Sequence, residues 1–194
     1  MKKKTNQPVD HRLGYAFVIL AGTLAAVLIL NAAGIGGGYD GYQAKTVAQD
    51  QTVEDQVIKH EVQTAVSVLQ AIHTRQKNGE FSEAVAKKLA ANVLRDMRYG
   101  DDDQGYFWVD TVDGVNVVLY GRKDVEGKNR YKAQEKGVYY IQEIIKQAKN
   151  GGGYTNYWFP KMGETVAKEK RAYSELFEPY NWVVGTGYYL EDRI

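Results

Sequence analysis

A chain of 194 residues has room for one globular domain and a short additional segment. Its 25 Lys and Arg residues are balanced by 24 Asp and Glu residues, so it lacks the basic excess of nucleic-acid-binding proteins and we expect no nucleic-acid partner. Cysteine is absent and the three histidines are scattered, so the sequence predicts no disulfide, no metal site and no cofactor.

The first predicted element is an apolar segment. Residues 13–39 carry no charged side chain, and about 20 helical residues are enough to cross a hydrocarbon core of roughly 30 Å. Three lysines and Arg12 precede the segment, so the positive-inside rule places residues 1–13 in the cytoplasm. We expect a single-pass anchor at residues 14–35 in the inner (cell) membrane, with the rest of the chain outside. A cleaved signal peptide is the alternative, although the apolar run is long for one.

Two helices are predicted next. Residues 36–41 are glycine-rich and are interpreted as a joint, because each glycine costs a helix about 1 kcal/mol relative to alanine. From Tyr42 to about Lys77, apolar residues recur at helical spacing. Ser82 is a good N-cap for a second helix that runs to Met97.

After Gly100 the apolar period changes to two, which is typical of strands. Asp113-Gly114 predicts a hairpin turn, and residues 138–149 return to a helical pattern before a run of three glycines. The fold class is therefore α+β, with a long N-terminal helix packed on an antiparallel sheet of about five strands. The predicted strands cover residues 106–109, 115–120, 154–159, 171–177 and 182–190.

Six segments, in order, resemble the motifs of the single Cache domain, the PAS-like extracytoplasmic sensor domain of bacterial chemoreceptors and sensor kinases. The resemblance covers residues 42–192, which we take as the sensor domain. It implies a PAS-like sheet, a small-molecule pocket that often takes short carboxylates, and a possible homodimer through the first soluble helix. The segments are MRYGDDDQGYFWV (97–109), VEGKNR (125–130), KGVYYIQEII (136–145), GGGYTNYWFPKMGE (151–164), KRAYSELFEP (170–179) and WVVGTGYYLED (182–192).

Binding of a small carboxylate needs a fixed cation and several donors in a partly dry pocket. With the positions that the resemblance implies, the cation candidates are Arg98 and Lys170, and Tyr106 and Trp108 are candidate apolar walls. Each candidate also has a purely structural alternative. A tyrosine on a sheet often only packs in the core. Arg98 can cap its helix or pair with a neighbouring aspartate, and Lys170 can be exposed to solvent. The hydroxyl candidates are Tyr99, Tyr120, Tyr154, Tyr173 and Tyr188.

The predicted function is that of an extracytoplasmic ligand-binding sensor domain in a membrane-bound, chemoreceptor-like signalling protein, with a short carboxylate as ligand. Two departures from the family pattern concern ligand identity: Tyr120-Gly121 stands where many members have His-Pro, and Glu169 where many have Pro.

No GxSxG, HExxH or P-loop motif is present, so we expect no enzyme. The acidic run 101–103 lacks the Glu of a calcium loop at position 112. The alternative is an anchored scaffold without a small-molecule ligand.

Overall fold

Helix α1 (Gly37–Lys77) opens the part of the chain that the computed structural model describes, residues 37–192, with side chains from residue 51. It ends at the predicted residue but begins five residues before Tyr42, so residues 37–41 of the predicted joint are helical. Once a helix has nucleated, each added residue gains a hydrogen bond, which offsets the cost of a glycine. The anchor predicted at 14–35 lies outside the described residues. Between residues 37 and 192, no helix is long and apolar enough to span a bilayer.

Helix α2 (Glu83–Asp96) begins where the sequence predicts. The Ser82 hydroxyl accepts a hydrogen bond from the Val85 backbone N–H at 3.3 Å, which satisfies one of the free donors of the first turn. Ala86, Ala90 and Leu94 are buried on one face of the helix. Their helical spacing explains why the pattern could be read from the sequence.

The five-stranded sheet is fully antiparallel, in the order β4-β3-β7-β6-β5. The predicted hairpin turn is present, with Gly114 at a φ of 81° that glycine adopts without strain. The predicted α+β class and strand number are therefore confirmed, and a separate two-stranded pair was not predicted. That pair is β1 (Arg98–Tyr99) and β2 (Gly105–Tyr106), and the sheet consists of β3 (Trp108–Thr111), β4 (Asn116–Leu119), β5 (Gly153–Pro160), β6 (Ala167–Phe177) and β7 (Trp182–Tyr189).

Each face of the sheet packs against different helices. Phe107, Val109 and Val184 face a core that includes residues of α1 and α2. Trp108 and Val183, one position along on the same strands, face helix α3 (Tyr140–Lys149). Because successive side chains of a strand point to opposite faces, a residue's position in the alternation decides which helix it meets. We call these the α1 face and the α3 face.

Candidate ligand site

A small cavity lies on the α3 face, between the sheet and helix α3. Its volume is about 10 Å³, which is about the room that one water molecule needs. Aromatic rings form most of its wall, and two charged side chains reach it. We call it the buried cavity; it is lined by Tyr106, Trp108, Asp110, Leu119, Arg130, Tyr140, Ile141, Ile144, Tyr157 and Phe159.

Lys170, on β6, is a buried cation beside this cavity. It is 1% exposed, and its ammonium donates a hydrogen bond to the Tyr106 hydroxyl at 2.8 Å. Its Nζ lies 4.3 Å, 5.1 Å and 5.0 Å from the ring centroids of Tyr106, Trp108 and Tyr189. None of the carboxylates between residues 51 and 192 forms an ion pair with it. An ammonium held by π faces and one phenol keeps capacity for an anion.

The Tyr106 phenol is tuned by that ammonium. Burial alone would raise its pKa, but the charge and hydrogen bond of Lys170 outweigh burial and hold the pKa below its ordinary value. For neighbouring Tyr189, burial raises the pKa instead. Tyr106 is therefore the phenol that the positive charge polarises most directly.

A second cation, Arg130, approaches the cavity from the loop before α3. Its Nη2 donates to the Tyr140 hydroxyl at 3.0 Å, and its Nη1 lies 4.0 Å from Asp110 Oδ1. Asp110 is fully buried, and the same oxygen accepts a hydrogen bond from Asn116 Nδ2 at 3.0 Å. Burial raises the pKa of Asp110, against the opposing effects of Arg130 and Asn116. The ion pair between Arg130 and Asp110 is therefore weak, and it leaves the guanidinium of Arg130 able to bind a further anion.

Four buried side-chain polar atoms have no hydrogen-bond partner among the described residues. They are Trp108 Nε1, Asp110 Oδ2, Asn116 Oδ1 and Thr155 Oγ1. Most buried polar groups in folded proteins are paired, so an unpaired group beside a cavity indicates a missing partner. With two cations and an indole N–H nearby, the arrangement is suited to an anion that carries oxygen acceptors.

Of the nine predicted contacts, the structure brings Lys170, Tyr106 and Trp108 together. The Trp108 ring covers Gly185, where a Cβ atom would collide with it, so glycine at this position leaves room for the indole. Tyr120 lies next to the group, with its ring centroid 5.9 Å from that of Tyr106.

Arg98 and Tyr99 lie outside the buried cavity. Arg98 donates to the backbone carbonyls of Arg95 and Met97, which is the capping alternative, and stacks 3.3 Å above the Tyr120 ring. The Tyr99 hydroxyl is 2.7 Å from Thr186 Oγ1, and burial raises the Tyr99 pKa to about 12.

The other three predicted tyrosines lie on the α1 face, away from Lys170. Tyr154 donates to the Asp55 carbonyl at 2.8 Å, and Tyr188 donates to the Asp55 carboxylate at 3.0 Å. Tyr173 packs against residues of α1 and donates to Glu175 at 2.9 Å. Their strand positions alternate with those that face α3, so the geometry separates them from the cavity.

Sequence reasoning missed eight of the ten residues that line the buried cavity. Four of them carry a charge or a hydroxyl group: Asp110, Arg130, Tyr140 and Tyr157. Asp110 carried a usable signal, since it continues the alternation of Tyr106 and Trp108 and is a charge inside an apolar strand. Arg130 ends the VEGKNR segment but sits in a loop, where no periodicity indicates a direction.

The sequence profile of the family described as single Cache domain 2 matches residues 51–193. The chain belongs to this family. This confirms the resemblance that the six motifs indicate. The chain is 27% identical over an alignment of 195 residues to the methyl-accepting chemotaxis protein McpP of Pseudomonas putida, covering 99% of this chain and 33% of that protein.

Two further relatives of the Cache domain are a kinase and a second chemoreceptor. The sensor histidine kinase MctS of Rhizobium johnstonii is 35% identical over 129 residues, with 66% of this chain and 27% of MctS covered. The methyl-accepting chemotaxis protein CtpM of Pseudomonas aeruginosa is 30% identical over 141 residues, with 69% and 23% covered. The chain thus spans a third or less of each relative, and it is a Cache sensor domain homologous to chemoreceptors and sensor kinases.

Solved structures show the same fold. A Cache chemosensory domain studied for carboxylic acid recognition has a TM-score of 0.68 and 26% identity, covering 72% of this chain and 95% of that one. A periplasmic sensor domain of a chemotaxis protein has a TM-score of 0.63 and 26% identity, covering 76% and 96%. The α+β layout is therefore that of a PAS-like Cache domain.

Proposed function

We propose that this Cache domain is the extracytoplasmic sensor of a membrane-bound signalling protein and binds a short carboxylate in the buried cavity. The observation that carries the proposal is the Lys170 ammonium, 1% exposed and without a carboxylate partner among residues 51–192. Removing an ammonium from water is costly unless a counter-charge compensates it. A bound carboxylate supplies that counter-charge.

The groups around the cavity play different parts in binding a carboxylate. Lys170 and Arg130 supply positive charge from two sides, and the Trp108 indole N–H supplies a donor that nothing else in the described residues uses. Tyr106 and Tyr157 supply rings that exclude water and so strengthen the electrostatic attraction. A carboxylate with a short apolar tail matches these groups.

The relatives support a sensory role. Two are named as methyl-accepting chemotaxis proteins and one as a sensor histidine kinase. One structural neighbour recognises carboxylic acids and another is a periplasmic domain. With the anchor predicted at residues 14–35, we place this domain outside the cytoplasm, and none of the roles we assign to its residues is catalytic.

Ligand size bounds the affinity. The best small ligands gain about 1.5 kcal/mol per heavy atom, so the four heavy atoms of acetate give at most about 6 kcal/mol, or a Kd of tens of micromolar. The buried cavity is about 10 Å³, so its wall must yield when a carboxylate enters. Binding is thus coupled to a side-chain movement, as a sensor requires.

Self-association through α1 is part of the proposal. Val53 and Val57, one helical turn apart, are 55% and 40% exposed. Large apolar side chains exposed side by side favour contact with a second apolar surface. Val53→Lys with Val57→Lys should lower the dimer fraction of the chain in sedimentation, whereas an unchanged distribution would contradict a dimer through this face.

A thermal-shift panel on the chain tests the ligand class. Acetate, propionate, lactate and pyruvate are compared with acetamide and propanol, which share the size but lack the charge. A ligand at 100 times its Kd stabilises the fold by about 2.7 kcal/mol, which raises Tm by several degrees. We expect shifts with the acids alone. Equal shifts with the neutral compounds, or none with any acid, would contradict the proposal, and the second result favours the scaffold alternative.

A further inference from the structure

A second, larger space lies beside the buried cavity. It has a volume of about 400 Å³ and lies at the end of the sheet where β7 passes the β5–β6 turn. Its wall includes Tyr99, Met162, Gly187 and Tyr189. We call it the open cleft. Of the residues that line it, Tyr106 also lines the buried cavity.

Tyr106 therefore separates the two spaces, with the buried ammonium behind it. Lys170 Nζ is 2.8 Å from its hydroxyl and 4.3 Å from its ring centroid. Tyr189, another wall of the cleft, has its ring centroid 5.0 Å from the same nitrogen. The hydrogen bond to Lys170 fixes the orientation of the Tyr106 ring between the two spaces.

We propose that the open cleft is the outer part of the ligand site and that Tyr106 is the partition that limits how long a ligand tail can be. This rests on the proposed function, since the inner part must first hold a carboxylate. A short acid is held on the Lys170 side of the ring once the wall of the buried cavity has yielded. A longer tail must displace the ring and break its hydrogen bond to the ammonium. This cost offsets the affinity that the extra methylenes would add.

The walls of the cleft indicate which tails it accepts. The rings and Met162 offer apolar surface. Its cation, Lys161, is engaged by Asp192 at 2.5 Å and by Glu191 at 3.0 Å, and Glu164 adds a further negative charge. A second carboxylate on the ligand would meet these acidic groups. The cleft therefore suits the uncharged tail of a monocarboxylate and disfavours a dicarboxylate.

The test is a titration calorimetry series of acetate, propionate, butyrate and hexanoate, with succinate as a dicarboxylate, on the 194-residue chain and its variants. In the wild type, affinity should stop rising after propionate. In Tyr106→Ala, each methylene from butyrate to hexanoate should tighten binding about fourfold as it enters the cleft. Tyr106→Phe keeps the ring but loses the hydrogen bond to Lys170, so it should relax the limit less than Tyr106→Ala does. Tyr139→Ala, the same truncation at an exposed tyrosine, should match the wild type.

Two further variants test the role of Tyr106 independently of Tyr106→Ala. Tyr106→Leu shortens the same side chain with less loss of packing and should show a weaker form of the gain if the alanine variant does not fold. Met162→Trp fills the cleft from an exposed position, so it should reverse the hexanoate gain of Tyr106→Ala.

The outcomes separate the two proposals. If the wild type binds no short acid, the proposed function fails. The wild type could bind short acids while Tyr106→Ala and Tyr106→Leu show the same dependence of affinity on chain length as the wild type. In that case only the proposal that Tyr106 limits the tail length is overturned. A wild type that binds hexanoate more tightly than propionate, or a Tyr106→Phe variant as permissive as the alanine variant, also overturns it. Succinate binding as tight as butyrate in Tyr106→Ala overturns the preference for uncharged tails.

Discussion

Lys170 donates a 2.8 Å hydrogen bond to the Tyr106 phenol from a position that is 1% exposed. A lysine in this setting has left water without gaining a carboxylate between residues 51 and 192. Three aromatic rings and one hydroxyl offset only part of the cost of that burial. The ligand-free domain is therefore less stable than its packing would allow, and on the proposed function a bound carboxylate recovers the difference.

The first prediction concerns Lys170→Met without ligand. Methionine fills a similar volume and removes the buried charge, so the free energy of unfolding should be unchanged or higher by about 1–3 kcal/mol. Urea unfolding measures it, with Lys149→Met, an exposed lysine on α3, as the control that should stay within about 0.5 kcal/mol. A decrease in the free energy of unfolding of more than about 2 kcal/mol would mean that the ligand-free protein already compensates the cost of burying the Lys170 charge.

The second prediction is a pH dependence at Asp110. Its pKa is raised by burial, so the folded chain holds this proton more tightly than the unfolded chain does. The resulting stability is fully present below the unfolded pKa near 3.8 and is lost as pH rises through the folded value. Asp110→Asn cannot ionise, so its stability relative to the wild type should rise between about pH 4 and about pH 7.

Denaturant unfolding at the two pH values measures this difference. Asp113→Asn is the matched control, because Asp113 is exposed in the hairpin turn and Asn-Gly suits the same turn. It makes the same carboxylate-to-amide change outside the buried cavity, so the pH dependence of Asp110→Asn is read relative to it. A difference for Asp110→Asn that falls as pH rises would mean that Arg130 outweighs burial at this site.

The third prediction separates packing from recognition at Trp108. Trp108→Phe removes an indole N–H that has no partner among the described residues, so it loses packing but no hydrogen bond in the ligand-free state. The affinity for propionate should fall about five- to tenfold, as expected for one lost hydrogen bond. Trp182→Phe, buried on the α1 face, should lower stability and leave calorimetric affinity unchanged. Equal affinities for both variants would remove Trp108 from the site.

The fourth prediction concerns a tyrosine on the other face. Tyr154→Phe removes the hydrogen bond to the Asp55 carbonyl and should cost about 1 kcal/mol of stability. Its affinity for propionate should stay within about twofold of the wild type, because the side chain faces α1. The comparison of urea unfolding with calorimetry checks both. A tenfold loss of affinity would restore Tyr154 to the ligand site.

Most of the fold was predictable because its signals are local. Ser82 caps α2, Gly114 turns the first hairpin, and the period changes after Gly100, ahead of the strands of the five-stranded sheet. The start of α1 was not predictable in the same way. Glycine propensity argued for a break at residues 36–41, whereas cooperative helix propagation extends the helix to Gly37.

The site was predictable only in part, because strand alternation tells which residues share a face but not which face holds the cavity. Lys170 and Arg171 are neighbours in sequence; the first is buried near Trp108, and the second pairs with Asp55 of α1 at 2.6 Å. Choosing between them required the position of α3. That helix was predicted, but its side of the sheet depends on long-range packing.

Calorimetric titration of acetate and propionate into the wild type, Lys170→Met and Lys149→Met measures whether Lys170 holds the carboxylate. We expect binding to the wild type no tighter than tens of micromolar for acetate, the same affinity for Lys149→Met, and a loss of at least about tenfold for Lys170→Met. Unchanged affinity in a folded Lys170→Met variant would rule out a carboxylate site at this lysine.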